Sequence, residues 1–510
     1  MEGQFWKKGI SIVLIIAIII AFIPAINIPA LAADNDGVYG KFLAPVDGVV
    51  GLTSDLTPKY GKNGRFIAAI APITDYTDWT AISDRTELEA IANNLEGKYY
   101  LAADINLGDA EWVPIGNTTT AFNGTLDGQG YVISNIAITG NITYAGLFGY
   151  ASNATIKNVG MEKSLLHLSS SAGRICGVAD GTTINNCYNT VVSNTWQQSA
   201  GGICGIARNG TTISNCYNKG SVIINSLGSY VGGICSEASD TTISNCFNTG
   251  AITANLQTSA GGICGYASNG TTLSNCYNTG DVYSMASAGG ICGAADGVII
   301  RNCYNTGSVG PIASTGGICG IASGTIISNC YNTGTTSTSL PSAGGICGDA
   351  GNGTTIRNCY GTGAVTSSIV GGILGTNLET SSNIVIEDCS SYSNLTGETV
   401  GGIIGSVAFY STVTIDSCVS YDTISTTTFD DDTYTYFGGM VGYADRGSEI
   451  MFKPECIYAD SNLPPVGGGV GTISGSKNVI TIDLNKLEIS LFSGVLHPLY
   501  NGIYNVIITL

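Results

Sequence analysis

Between Gly146 and Cys456 the apolar and polar positions follow one phrase that recurs eleven times, at intervals of 27 to 37 residues. Its clearest form is Gly201-Gly202-Ile203-Cys204-Gly205, followed by Gly210-Thr211-Thr212-Ile213-Ser214-Asn215-Cys216-Tyr217-Asn218. Three short runs in each copy carry strand-forming residues: the Gly-Gly-Ile-Cys segment, the Thr-Ile-x-Asn-Cys-Tyr segment, and a variable piece such as Ser221-Val222-Ile223-Ile224. Glycine, asparagine and serine between them are turn formers. A copy this short cannot bury its own apolar side, so the copies must stack and share one core. The pattern predicts an all-β parallel β-helix of about eleven coils with three strands per coil. At about 4.8 Å per coil, the rod would be on the order of 50 Å long.

The flanks depart from the repeat. Thr86 and Glu89 have capping-box spacing, Leu88, Ile91 and Leu95 share a face, and Gly97 falls where a helix would end. Strands are expected at 98–103 and 131–138, with Trp112, Pro114-Ile115-Gly116 and the run Phe122 to Gly130 between them. A helix and aromatic side chains here would form a lid, covering strand edges that otherwise invite aggregation. The domain reading is therefore 1–32 export signal, 33–80 loop-like, 81–145 N-terminal cap, 146–460 repeats, and 461–510 linker with a small β-rich C-terminal cap. Pro464-Pro465 and Gly467-Gly468-Gly469 mark the linker.

Composition narrows the class. Only 11% of residues are charged and 71 are glycine, which disfavours a helix-rich enzyme. Lys7-Lys8, an apolar run from Ile10 and Ala30-Leu31-Ala32 read as a cleavable signal, placing the mature chain outside the cell without membrane insertion. The net charge of −18 makes nucleic acid an unsuitable partner. Asp430-Asp431-Asp432 is the one acidic run, at best a weak cation loop.

All 17 cysteines lie in two slots of the repeat. They include Cys176, Cys187, Cys204, Cys216, Cys235, Cys246, Cys264, Cys276, Cys292, Cys303, Cys319, Cys330, Cys347 and Cys359, read as a structural core ladder. Phe148, Leu374, Ile404 and Val441 occupy the first slot in other copies and Val159 the second, as expected of buried positions. Stacked cysteines about 4.8 Å apart with parallel Cβ vectors suit a disulfide poorly, whereas bridges across one coil, such as Cys204 with Cys216, stay open for an exported chain. Metal has little support: Cys-x-x-Cys is absent and the only histidines are His167 and His497. No cofactor, metal or catalytic residue is assigned.

Two further rows repeat. Asn186, Asn215, Asn245, Asn275, Asn302, Asn329 and Asn358 precede their cysteines and predict an internal amide ladder. Tyr188, Tyr217, Phe247, Tyr277, Tyr304, Tyr331 and Tyr360 follow the cysteines and predict an outward aromatic stripe, either a sugar-stacking surface or a purely structural ladder. A flat threonine face of the ice-binding kind is discounted because Val298, Ile299 and Ile326 interrupt it.

Ala145-Gly146-Leu147-Phe148-Gly149 and the Gly-Gly-Ile-Cys-Gly series resemble the GLUG motif of bacterial surface proteins, and Thr86 to Gly130 resembles the segment that precedes it there. The resemblance, over about residues 80–460, implies a right-handed parallel β-helix on secreted or surface-attached proteins, some adhesin-like and some immunoglobulin A peptidases. The peptidase activity does not carry over, since His-Glu-x-x-His is absent. The functional expectation is a monomeric, non-catalytic surface adhesin or stalk that contacts a glycan or host protein along one face. A polysaccharide lyase or hydrolase and a pure spacer are the alternatives, the first weakened by scattered carboxylates.

Overall fold

The structure, a computed structural model, describes residues 75–474 with short interruptions (109, 140–141, 164, 167–170, 196–198, 228, 340, 378, 426–434 and 460–462), and the strands Lys59–Tyr60, Phe66–Ile67 and Val479–Thr481. The expected export signal, most of segment 33–74, His167, His497, Asp430 to Asp432 and the chain beyond 481 lie outside the described residues. The solenoid lies in one compact unit, Tyr60–Leu510.

Ten successive coils, from Tyr144 to Ser425, each hold five short strands rather than three. Around Cys204 they are Ser199–Gly201, Cys204–Arg208, Thr212–Ser214, Tyr217–Asn218 and Val222–Ile224. Nearly all strands pair in parallel with their equivalents in the neighbouring coils, giving stacked sheets of 11, 12, 15, 14 and 9 strands, while Leu165–Leu166 pairs only with Ala137–Ile138. We call these the glycine, cysteine, threonine, tyrosine and variable sheets. The chain winds as a right-handed parallel β-helix, the hand expected of parallel crossovers.

The extra corners have local causes. Asn209 and Asn215 hold φ of 54° and 55°, the left-handed region that asparagine tolerates, and so break the polypeptide on either side of Thr212–Ser214. The Gly-Gly-Ile segment bends so tightly that a Cβ on Gly201 would lie 1.8 Å from the Cys204 carbonyl oxygen. Only glycine fits there.

These corners divide the interior in two. The main core runs without a break from Ile82 to Tyr458 and is walled by the cysteine, threonine and tyrosine sheets. A smaller core lies between the glycine and variable sheets, with Ala200, Val222, Ile224 and Val231 in one cluster and Ala343, Val365, Val370 and Leu395 in another. The opposite walls meet at a waist, where a Cβ on Gly202 would lie 2.6 Å from Asn218 Cγ and 2.2 Å from the Gly233 carbonyl oxygen.

Both ends refine the expected boundaries. The helix spans Arg85–Glu89 and is capped by Asp84, which accepts from Glu87 N at 2.9 Å, so it starts ahead of the Thr86 cap that spacing suggested. Leu88 and Ile91 are buried as expected. The lid strands Thr80–Ile82, Lys98–Leu101 and Thr125–Asp127 are themselves the first three rungs of the threonine sheet. Asp127, 2% exposed, fastens the lid: it accepts from Tyr76 Oη at 2.8 Å and Asn158 Nδ2 at 2.8 Å and pairs with Lys157 at 3.1 Å. At the other end the segment read as a linker supplies a rung. Val466–Gly469 is the last strand of the cysteine sheet, with Val466 beneath Val441 in the cysteine slot, and the carbonyls of Pro464 and Pro465 accept from Gly439, Met440 and Val441. Proline lacks a donor but keeps its acceptor, so it is tolerated there.

Candidate functional site: the stacked side-chain columns

The first cysteine slot forms one vertical column. Phe148, Cys176, Cys204, Cys235, Cys264, Cys292, Cys319, Cys347, Leu374, Ile404, Val441 and Val466 succeed one another in register. The second slot, from Cys187 to Cys456, lies at the corner between the threonine and tyrosine sheets. All seventeen cysteines are buried, and none is bridged to another. Their thiols face backbone carbonyls, Cys216 Sγ donating to Ser214 O at 3.2 Å and Cys246 Sγ to Ser244 O at 3.3 Å. Burial, the largest influence, pushes the Cys176, Cys204 and Cys235 thiols well above their ordinary range. Such thiols are poor nucleophiles.

The aromatic row is a face-to-face stack. Successive rings from Tyr188 to Tyr360 lie 4.9–5.1 Å apart and 2–6° from parallel. Alternation does turn the row away from the main core, yet Tyr188 and Tyr217 are only 8% exposed and the other five are half-buried. In-register pairing brings identical rings within stacking distance, and each then covers its neighbour's faces. What reaches solvent is ring edges. Burial pushes Tyr304 and Tyr331 well above the usual phenol range, with neighbouring rings adding to it.

The asparagines before the cysteines are not interior. Asn186, Asn215, Asn245, Asn275, Asn302, Asn329 and Asn358 all hold φ between 49° and 55° at the outer corner, half-buried or exposed. Some still bond along the axis, Asn186 Nδ2 to Asn158 Oδ1 at 2.7 Å and Asn329 Nδ2 to Asn302 Oδ1 at 3.2 Å. The internal ladder is built three residues later. Asn189, Asn218, Asn248, Asn278, Asn305 and Asn332 are fully buried at the waist, each of the first five amides donating to the next at 2.7–2.9 Å. Each also donates to the carbonyl two residues on, as Asn218 does to Gly220 O at 2.7 Å. The signal was present in the sequence as Cys-Tyr/Phe-Asn, where the asparagine recurs in six of the seven copies that carry one before the cysteine.

Where this ladder ends, Gly361 and then Ser391 and Ser420 take its place. There the half-buried Asp422 accepts from Ser391 Oγ at 2.6 Å, Ser393 N at 2.6 Å and Ser420 Oγ at 2.8 Å. Desolvation outweighs these three donors and pushes its carboxyl up to about 6. Among the described residues no group of three or more His, Cys, Asp or Glu side chains is arranged to hold a metal ion.

These features define a right-handed parallel β-helix of stacked, near-identical coils. The GLUG motif model matches residues 197–223 and 257–283, so at least two coils carry that motif. Over 175 residues the chain is 29% identical to immunoglobulin A1 protease of Streptococcus sanguinis, covering 33% of this chain and 9% of that protein. Over 141 residues it is 30% identical to halomucin of Haloquadratum walsbyi, covering 24% and 2%. It therefore spans less than a tenth of the length of either relative. Among solved structures, an IgA1 protease overlaps 75% of this chain and 22% of its own at 14% identity, TM-score 0.29. A putative immunoglobulin A1 protease from Bacteroides ovatus overlaps 71% and 83% at 22% identity, TM-score 0.20.

Proposed function

We propose that this chain is an exported, non-catalytic β-helix that acts as a surface adhesin or stalk, contacting a glycan or a host protein along one long face. The observation that carries the reading is the unbroken threonine sheet, fifteen parallel strands that repeat the same outward positions rung after rung. At about 4.8 Å per rung this is a stiff ruler roughly 70 Å long. Such a surface suits a linear or repetitive ligand, and a polar, glycine-rich coil offers it many weak, evenly spaced contacts. The export-type N-terminus supports an extracellular location, and the likeness to repeat regions of an immunoglobulin A1 protease and halomucin supports a shared scaffold without a shared activity.

A binding screen against a glycan array and immobilised host-matrix proteins tests the reading. Specific, saturable binding by the folded chain supports an adhesin. No binding to either panel overturns it in favour of a spacer.

A further inference from the structure

The outward residues of the threonine sheet form two rows along the axis. One row reads Ser214, Ser244 and Ser274, then turns to Arg301, Ser328 and Arg357. In the same rungs the companion row changes from threonine to Ile299, 39% exposed, and Ile326. Both arginines are exposed, and among the described residues neither guanidinium has an ion-pair partner. Arg85 and Arg208, by contrast, pair with Glu89 and Asp180.

We propose that this strip binds an acidic polysaccharide lying along the solenoid axis. Register sets the spacing: Arg301 and Arg357 are two rungs apart, roughly 10 Å. An extended polysaccharide with a carboxylate or sulfate on alternate sugars offers anionic groups at a comparable interval. Guanidinium groups take such oxyanions in bidentate fashion. Ser328 stands between them in the row and is 6% exposed. Ile299 and Ile326 supply an apolar floor for the C–H face of the sugar between the two charges. At the adjoining corner the amides of Asn302, Asn329 and Asn358, held by bonds of 3.1, 3.2 and 2.5 Å along the axis, face outward to sugar hydroxyls. The chain's −18 charge does not forbid this, because charges beyond about 8 Å are largely screened at physiological salt. Glu387 stands directly beyond Arg357 in the same row and closes the strip at that end.

The inference rests on the adhesin reading but fails separately from it. Binding of the full chain is measured to heparin, polygalacturonate and neutral dextran at two salt concentrations. The expected result is salt-sensitive binding to an acidic polymer and none to dextran, with heparin and polygalacturonate distinguishing sulfate from carboxylate. The double variant Arg301→Gln/Arg357→Gln should then lose at least tenfold in affinity with an unchanged melting curve, and Glu387→Gln should gain. Undiminished binding by the double variant, or equal binding to double-stranded DNA, overturns the inference. Binding only to a neutral glycan or a protein overturns it while leaving the adhesin reading standing; no binding to any panel overturns both.

Discussion

Asn218 and Asn248, thirty residues apart in sequence, lie one above the other with no exposure, and Asn218 Nδ2 donates to Asn248 Oδ1 at 2.7 Å. The pair sits where the two walls of the coil meet, so it joins the large and small cores with satisfied polar groups rather than a seam of apolar contacts. Replacing Asn248 with leucine strands one N–H of the Asn218 amide and the acceptors of Asn278 and Gly250. Each buried orphan costs about 1–3 kcal/mol, so a loss of at least about 3 kcal/mol is expected by denaturant titration.

Asn245, three residues earlier, should behave in the opposite way. It is exposed and holds φ 54°, so Asn245→Gly should be neutral to within about 0.5 kcal/mol, whereas Asn245→Val should destabilise by more than 1 kcal/mol. The same melt distinguishes the two positions.

This contrast shows what was legible in the sequence. The repeat length and the apolar slots, where Cys347 gives way to Leu374 and Ile404, announce stacked parallel coils and a buried column. Two things did not show. A residue type alone does not tell whether Asn215 turns a corner or Asn218 fills a waist, because both suit asparagine and only φ separates them. Alternation placed Tyr217 outward but did not convey that in-register pairing would bring its ring 4.9 Å from Phe247 and hide both faces. The Pro464-Pro465 segment looked like a linker because proline lacks a donor, while its use as an acceptor edge depends on the rung it meets.

The tyrosine stack should prove structural. Tyr304→Ala removes contacts with Tyr277 and Tyr331, and at about 0.5–1.5 kcal/mol per stacked pair plus lost burial it should cost roughly 2–4 kcal/mol. Any glycan binding measured at a temperature where the variant is folded should be unchanged within a factor of two. A selective loss of binding without loss of stability would instead assign the stack to recognition.

Asp422 gives a pH signature. Its folded carboxyl is raised to about 6 against an unfolded value near 3.9, so the native state holds a proton that the unfolded chain has released. Its stabilising contribution is complete below about pH 4 and lost as the pH rises through 6. Asp422→Asn should therefore raise the melting temperature at pH 7.5 relative to the parent and leave it little changed at pH 4, measured by differential scanning calorimetry.

Three thiols of the first slot act in the same direction at alkaline pH. Unfolded cysteine titrates near 8.5, whereas buried Cys176, Cys204 and Cys235 are held well above, so stability should fall as pH rises beyond about 8. The expected slope is roughly 1.4 kcal/mol per pH unit for each such thiol. Replacing these three with valine, the residue that Val441 contributes to the same column, should flatten the fall.

The measurement that bears most directly on the stacked, sulfur-lined interior is differential alkylation followed by intact-mass spectrometry, with no reductant at any stage. Native protein should take up almost no label over minutes, and the same sample in denaturant should take up seventeen. Rapid labelling of the native chain, or three or fewer labels after denaturation, would contradict two buried columns of free thiols.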